Sequence, residues 1–164
     1  MMKGDKKIVD ILNDLLAGEL TATDQYLIHG EMYADMGLGV ISQRILHESL
    51  HEREHARALI QRILFLEGTP NLTKRDPIHI GKDVKSMLES DLDLEYAVVK
   101  HLKKAMEACE QAQDFVTKEM LLVQLEDTEM DHAYWLEKQL SLIKLIGIEN
   151  YCQSQMGDSP AAAV

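Results

Sequence analysis

Apolar residues recur every three or four positions along four long stretches of the chain, and acidic or imidazole side chains interrupt each stretch near its middle. That period predicts amphipathic helices, each buried along one face. The first stripe is Ile8, Leu12, Leu15, Glu19, Ala22 and Tyr26, and the second is Ile41, Ile45, Glu48, Glu52, His55, Leu59, Ile63 and Leu66. The third is Val84, Leu88, Asp91, Glu95, Val98 and Leu102, and the fourth is Leu122, Leu125, Glu129, His132, Leu136, Leu140 and Ile143. Proline occurs only at positions 70, 77 and 160, so helices are expected over 8–36, 40–67, 83–112 and 114–146. Gly37-Leu38-Gly39 closes the first, Gly68 with Pro70 beyond it stops the second, and Gly147 ends the fourth. Residues 148–156 suit a short fifth helix and 157–164 a disordered tail, so the domain is expected over 1–156. Residues 69–82, with two prolines and Gly81, are too long for a tight turn and suit a crossover along a bundle. No strand-like alternation occurs, and the expected class is all-α: a four-helix bundle with one long crossover.

The interruptions coincide with a duplicated motif. Glu52-Arg-Glu-His55-Ala-Arg-Ala-Leu59 and Glu129-Met-Asp-His132-Ala-Tyr-Trp-Leu136 share the pattern Glu-x-x-His-Ala-x-x-Leu, and a lone Glu, Glu19 or Glu95, precedes each by 33 or 34 residues. Composition alone predicts about 0.6 Glu-x-x-His pairs, and the chain has more than one of them at core positions. Glu19 lies 19 residues before the first turn at Leu38, and Glu52 and His55 lie 14 and 17 after it, so at about 1.5 Å of rise per residue the three come roughly level in an antiparallel pair. Glu95, Glu129 and His132 do the same about Gln113. Four carboxylates buried at one height cost several kcal/mol per uncompensated ion, on the order of what a domain can spare. Two divalent cations remove that conflict. Glu52 and Glu129 are placed to bridge the two metals, Glu19 and Glu95 to cap one each, and His55 and His132 to supply one nitrogen apiece. Oxygen-rich ligation without thiolate suits iron or manganese better than a closed zinc site.

Composition narrows the class further. One domain of 164 residues needs no staples, and the two cysteines, Cys109 and Cys152, form no Cys-x-x-Cys module. The N-terminus lacks a signal-peptide core and no apolar run is long enough to span a membrane, so a cytoplasmic protein is expected. A formal net charge of −11 argues against nucleic-acid binding through overall charge. A third pair, Glu48-x-x-His51, has no counterpart in the fourth helix; it reads either as a polar group near the site or in solvent, or as an accessory metal position with His47. Tyr26, on the stripe of Glu19, is close enough to donate an electron or a hydrogen bond, and a plain core tyrosine fits equally. Trp135 reads as packing, His29, His79 and His101 as solvated or capping residues, and the nine methionines as core filler.

Over nearly its whole length the chain resembles the bacterioferritin family. The resemblance is carried by Gly18-Glu19-Leu20, Asp24-Gln-Tyr26, His47-Glu-Ser, Arg62-Ile-Leu-Phe-Leu-Glu-Gly68-Thr-Pro-Asn-Leu72, Ser90-Asp-Leu-Asp-Leu-Glu95, His132-Ala-Tyr-Trp-Leu-Glu137 and Glu149-Asn-Tyr151. It implies a ferritin-like bundle assembled as a hollow shell of twenty-four subunits. It also implies Fe(II) oxidation by oxygen or peroxide at a di-iron ferroxidase centre of Glu19, Glu52, His55, Glu95, Glu129 and His132, with ferric mineral stored inside. The family's inner-surface iron position falls on His47 and His51, where the second is usually Asp. A small ferredoxin is the reductant that the family suggests. Other readings are a peroxidase or oxidase of rubrerythrin type, against which the missing Cys-x-x-Cys module speaks, and a helical scaffold with a vestigial metal site.

The family's haem-ligating Met follows the first Glu of Glu-x-x-His, and Arg53 stands there in this chain. A guanidinium stays protonated and offers no lone pair to iron. The sequence therefore resembles the alpha-type branch, which can co-assemble with a Met-bearing subunit. The homo-oligomer, purified from a haem-sufficient host, is expected to show no Soret band with bis-thioether character, and such a band would overturn this reading.

Overall fold

The computed structural model describes residues 4–158. Four helical rods form the bundle: α1 (Lys6–Asp35), α2 (Gly39–Phe65), α3 (Val84–Gln111), and a fourth rod made of α4 (Phe115–Asp127), a π-helical turn (Thr128–Ala133) and α5 (Tyr134–Ile146). The short α6 (Ile148–Gln155) follows. The all-α bundle, its crossover and its fifth helix are as the sequence predicts.

The termini are set by local chemistry. Asp5 caps α1 by accepting from the Lys7 N–H, and Asp83 and Ser86 form a reciprocal capping box at the start of α3. Asp114 caps α4 through the Thr117 N–H and also receives Arg62 Nη2 at 2.9 Å, tying α2 to the start of the fourth rod. At the end of α2, Glu67 (φ 61°) rather than Gly68 takes the left-handed position. Gly68 is needed one step later, where a Cβ would lie 2.5 Å from Val9 Cγ1 of α1. The close packing of α1 against the α2 terminus decides that position, which a reading of turn preferences alone does not see.

The core divides into two apolar clusters. One gathers Ile8, Leu12, Leu16, Leu59, Ile63, Leu102 and Leu121; the other gathers Tyr26, Tyr33, Ile41, Ile45, Leu88, Leu136 and Tyr151. Between them lies a belt of buried polar residues that includes Glu19, Glu52, His55, Glu95 and His132.

Three expectations are corrected. Leu122 is exposed and Leu121 takes its core position, because the π turn inserts one residue into the fourth rod and shifts the phase of the stripe before it. His29 is neither solvated nor a cap: it is fully buried, its Nδ1 lies 2.8 Å from Asp91 Oδ1, and its Nε2 accepts from the Gly81 N–H. An imidazole accepting at Nε2 carries its proton on Nδ1, so His29 is neutral and donates to Asp91. Gln25 also donates to Asp91 Oδ1, and its own Oε1 accepts from the His79 N–H, so one buried network pins the crossover to α1 and α3. The tail does not begin at Gly157 either, since Gly157 O accepts from Gly39 N at 2.8 Å in a parallel bridge to the α1–α2 turn. The remainder of the expected tail, 159–164, lies outside the described residues.

Asp91→Ala leaves His29 and Gln25 buried without their acceptor. The expected loss of stability is about 3 kcal/mol, and about half of that is expected for Asp91→Asn, read by urea unfolding of the metal-free protein. Wild-type stability in the Ala variant would show that the network contributes nothing.

Candidate metal centre

Glu19 comes from α1, Glu52 and His55 from α2, Glu95 from α3 and His132 from the π turn, and all five are buried. Their ligand atoms form two groups, Glu19–Glu52–His55 and Glu52–Glu95–His132, each with its atoms within 4.8 Å of one another. Glu52 belongs to both. His55 Nδ1 lies 3.1 Å from its Oε2, and His132 Nδ1 lies 2.6 Å from its Oε1. Glu19 Oε2 stands 3.8 Å from His55 Nδ1, and Glu95 Oε1 stands 3.5 Å from His132 Nδ1. Each imidazole turns Nδ1 into the cluster and Nε2 outward to an acceptor. His55 Nε2 meets Asp127 Oδ2 at 3.2 Å, and His132 Nε2 meets His51 Nδ1 at 3.0 Å and Glu48 Oε2 at 2.7 Å. Such outer partners fix ring orientation and tautomer in metal sites.

Glu129, expected as the second bridging carboxylate, does not join the cluster. Its side chain is 43 % exposed and pairs with Lys103 at 2.5 Å. In an α-helix Glu129 and His132 would share a face, whereas the wider π turn rotates the residue three before His132 outward. Asp127, five residues before His132, faces α2 instead. The extra residue leaves only a phase slip in the sequence, which the Glu-x-x-His match conceals.

The expected accessory pair is also rearranged. His47 is exposed, and its ring centroid lies 6.3 Å from that of His51. His51 instead leans on His132, within a group that includes Glu48 and Asp131. Glu48 is buried, a placement its stripe position foretells, while Asp127 and Asp131 carry no sequence signal beyond their nearness to His132. Tyr26 is fully buried and its hydroxyl donates to Glu95 Oε1. Trp135 packs beneath the Arg44 guanidinium, 5.3 Å from its ring centroid.

The residues fit a pair of cations on an observation independent of spacing. Glu19 Oε1 and Oε2, Glu52 Oε1 and His132 Nδ1 are buried without a hydrogen-bond partner. Buried polar atoms left so call for an ion or an equivalent partner. Electrostatics agree. Burial, and then the Glu52 charge, push Glu19 well above the usual carboxylate range and Glu95 up to about 7. Burial would raise Glu52 too, but the adjacent His132 and His55 imidazoles outweigh it and hold that carboxyl below the usual range. Burial works against charge on the imidazoles, yet the neighbouring Glu19 and Glu52 carboxylates push His55 up to about 11, and Glu48 and Glu52 carry His132 higher still. Burial, with the neighbouring Glu95, keeps the Tyr26 phenol protonated.

An open cavity of about 730 Å³ between α1, α3 and the crossover is lined by Gly18, Glu19, Asp76, Asp93, His101 and Lys104, and so lies beside the cluster on the Glu19 side.

Comparison with known proteins agrees with this architecture. Residues 9–146 match the family described as Ferritin, the ferritin-like domain. Over 155 residues the chain is 56 % identical to a bacterial ferritin of Synechocystis sp., covering 94 % of this chain and 99 % of that one. It is 52 % identical to a bacterial ferritin of Pseudomonas aeruginosa over 94 % of this chain and 100 % of the relative. A bacterioferritin of Brucella melitensis is 40 % identical over 98 % of both chains.

In the metal-free protein Glu19, His55 and His132 hold protons at neutral pH, and Glu95 is about half protonated. His55 contributes stability that is complete below about 6.5 and is lost as pH rises through about 11, and Glu95 contributes stability lost as pH rises through about 7. Metal binding requires these groups deprotonated, so loading displaces protons and tightens as pH rises. Zn(II) titration at pH 7, repeated in buffers of different ionisation enthalpy, is expected to release about two to four protons per subunit. Release of fewer than one would contradict this charge state.

Proposed function

The chain belongs to the ferritin family, and from that premise we propose that it is an iron-storage protein whose Glu52-centred cluster oxidises Fe(II) to Fe(III). The observation that carries the proposal is the sharing of Glu52 between two ligand groups, each completed by one further carboxylate and one imidazole. Fe(II) is the substrate. Glu52 bridges two positions, Glu19 and His55 serve the first, and Glu95 and His132 serve the second. Two Fe(II) held side by side deliver two electrons together to an oxidant, oxygen or peroxide.

The surrounding residues prepare that step. The unpartnered oxygens of Glu19 and Glu52 are fixed by burial on stiff helices, so the chain reorganises little as charge arrives. Glu95 is steadied by Tyr26, whose buried hydroxyl on that carboxylate also supports the phenol as an electron donor. Asp127 and the Glu48–His51 pair orient the outer nitrogens of His55 and His132, respectively. The cavity beside Glu19 supplies an approach for substrate, and its wall carries Asp76 and Asp93 alongside Lys100 and Lys104.

Storage requires an enclosed space, which one subunit lacks. Exposed apolar side chains on several helices, among them Leu27, Leu50, Leu64, Phe65, Leu142 and Leu145, support burial between copies, and the relatives' names support a shell, proposed to hold twenty-four. No helix among the described residues is long and apolar enough to cross a membrane, in keeping with a cytoplasmic shell. Arg53 is exposed on α2, so haem is proposed to enter only through a co-assembled subunit bearing Met, and a small ferredoxin is the proposed reductant for iron release.

Aerobic Fe(II) addition to the metal-free assembly is expected to give a fast phase that saturates at about two Fe(II) per subunit. Glu52→Ala is expected to slow that phase roughly 100-fold. Glu129→Ala is expected to retain it within about threefold, because that carboxylate faces Lys103. A fast phase unchanged in Glu52→Ala would overturn the ferroxidase reading. Its loss in Glu129→Ala would show that iron rewinds the π turn and draws Glu129 inward.

A further inference from the structure

The wall of the cavity between α1, α3 and the crossover carries both signs of charge, sorted along its length. Asp76 and Asp93 stand toward one end, and Lys100, His101 and Lys104 stand together on α3 toward the other. The fold sets that order. The Asp76 N–H donates to Thr21 Oγ1, and Asp76 Oδ2 would lie 3.6 Å from a Cβ at Gly18, so this carboxylate hangs over the residue before Glu19. His101 and Lys104 also line a smaller cavity of about 170 Å³ with Ile11 and Asp14, toward the start of α1. At about 1.5 Å of rise per residue, Asp93 and Lys104 are roughly 16 Å apart along α3.

These charges are not matched within the chain. Lys74 and Lys103, close by in sequence, pair with Asp14 and Glu129, whereas Asp76, Asp93, Lys100 and Lys104 take part in no ion pair among the described residues. In a chain with a formal net charge of −11 acidic partners are plentiful, yet both lysines line a cavity. Between the charged ends Leu94 and Val98 give an apolar floor. Glu19 meets the cavity there, 1 % exposed and with both oxygens unpartnered. A bare cation would face the lysines, and a bare anion would face the carboxylates. A ligand that carries both signs complements the whole wall. About 730 Å³ is room for a hydrated complex and far more than a single ion fills. The rim is charged, unlike the apolar positions proposed to meet neighbouring copies, which leaves the mouth of the cavity to solvent.

We propose that this cavity binds a divalent cation as its complex with a small organic polycarboxylate. Lys100 and Lys104 hold the ligand's carboxylates, with His101 as a further donor, and Asp76 and Asp93 face the cation. A compact inorganic anion such as phosphate engages the basic end alone, whereas a carbon skeleton also rests on Leu94 and Val98. The proposal depends on the ferroxidase reading for its purpose: Fe(II) arrives chelated, the carboxylates stay on the lysines, and the metal passes to Glu19. Binding itself needs no oxidation and is measured apart from that reading.

Equilibrium dialysis of labelled citrate against the metal-free assembly tests it, with excess Mg(II) as a cation that oxygen does not oxidise. Wild-type protein is expected to bind about one citrate per subunit with Mg(II) present, and to bind it about tenfold more weakly when Na⁺ replaces Mg(II) at matched ionic strength. Lys100→Gln combined with Lys104→Gln is expected to weaken Mg(II)–citrate about tenfold or more. Lys7→Gln combined with Lys144→Gln removes the same charge from exposed positions outside the cavity and is expected to change binding less than about threefold. In aerobic oxidation the cavity variant is expected to raise KM for Fe(II)–citrate about tenfold and to keep KM for uncomplexed Fe(II) within about threefold. The proposal fails if wild type binds no citrate, if binding is equal without Mg(II), or if phosphate at equal concentration displaces the citrate. Equal loss in the Lys7 and Lys144 variant, or an unchanged KM for Fe(II)–citrate in the cavity variant, would also sink it. Citrate bound as expected, with no oxidation of Fe(II) in either form, would instead remove the ferroxidase reading and leave the cavity site standing.

Discussion

Carboxylates buried in the middle of a helical bundle impose the constraint that organises this molecule. Glu19, Glu52 and Glu95 sit almost without solvent between two apolar clusters, and a bundle that places charge there must compensate it from within. The two imidazoles do so in the metal-free state by holding extra protons, which makes the cluster a near-neutral network rather than a set of bare anions. Long, unbroken helices follow from the same need. The apolar stripes on either side of the polar belt have to supply the burial that the belt forgoes, and thirty-residue α1 and twenty-eight-residue α3 provide it.

Five of the six side chains expected at the site come together in the fold because helical periodicity and duplication point to the same residues. Glu19, Glu52, His55, Glu95 and His132 interrupt otherwise apolar stripes, and level counting about two turns brings them together. Glu129 stands outside that cluster in the metal-free structure for a reason internal to that method. Counting assumes a constant turn, and the fourth rod inserts one residue between Thr128 and Ala133, leaving the local motif intact while rotating its carboxylate away. Leu121 and Leu122 exchange roles through the same slip. His29 failed differently: its partner Asp91 lies 62 residues away, and only the folded crossover shows that both are buried together. Arg44 and Asp131 are 87 residues apart and share no pattern, so their pairing had no sequence signal.

The two halves of the chain are alike in motif and unlike in use. In α2 the Glu-x-x-His lies on a regular helix, and both members enter the cluster. In the fourth rod only the histidine does, and the carboxylates beside it face outward or toward α2. The cluster is accordingly asymmetric, with a cavity beside it at Glu19 and the Arg44–Asp131 ion pair on the other side. Directionality across the bundle arises from that difference rather than from the duplicated motif.

The π turn has a mechanical meaning beyond its effect on register. Its i→i+5 bonds are poorer than those of the helices on either side, so it is the most compliant backbone that touches the cluster. Glu19, Glu52, His55 and Glu95 ride on stiff rods, and His132 alone rides on a spring. In the proposed ferroxidase cycle, a cluster built half rigid and half yielding would follow the shrinkage of the oxidised ion by adjusting a single short segment. On that reading the bundle need not breathe as a whole, and the adjustment falls on the six residues of the turn.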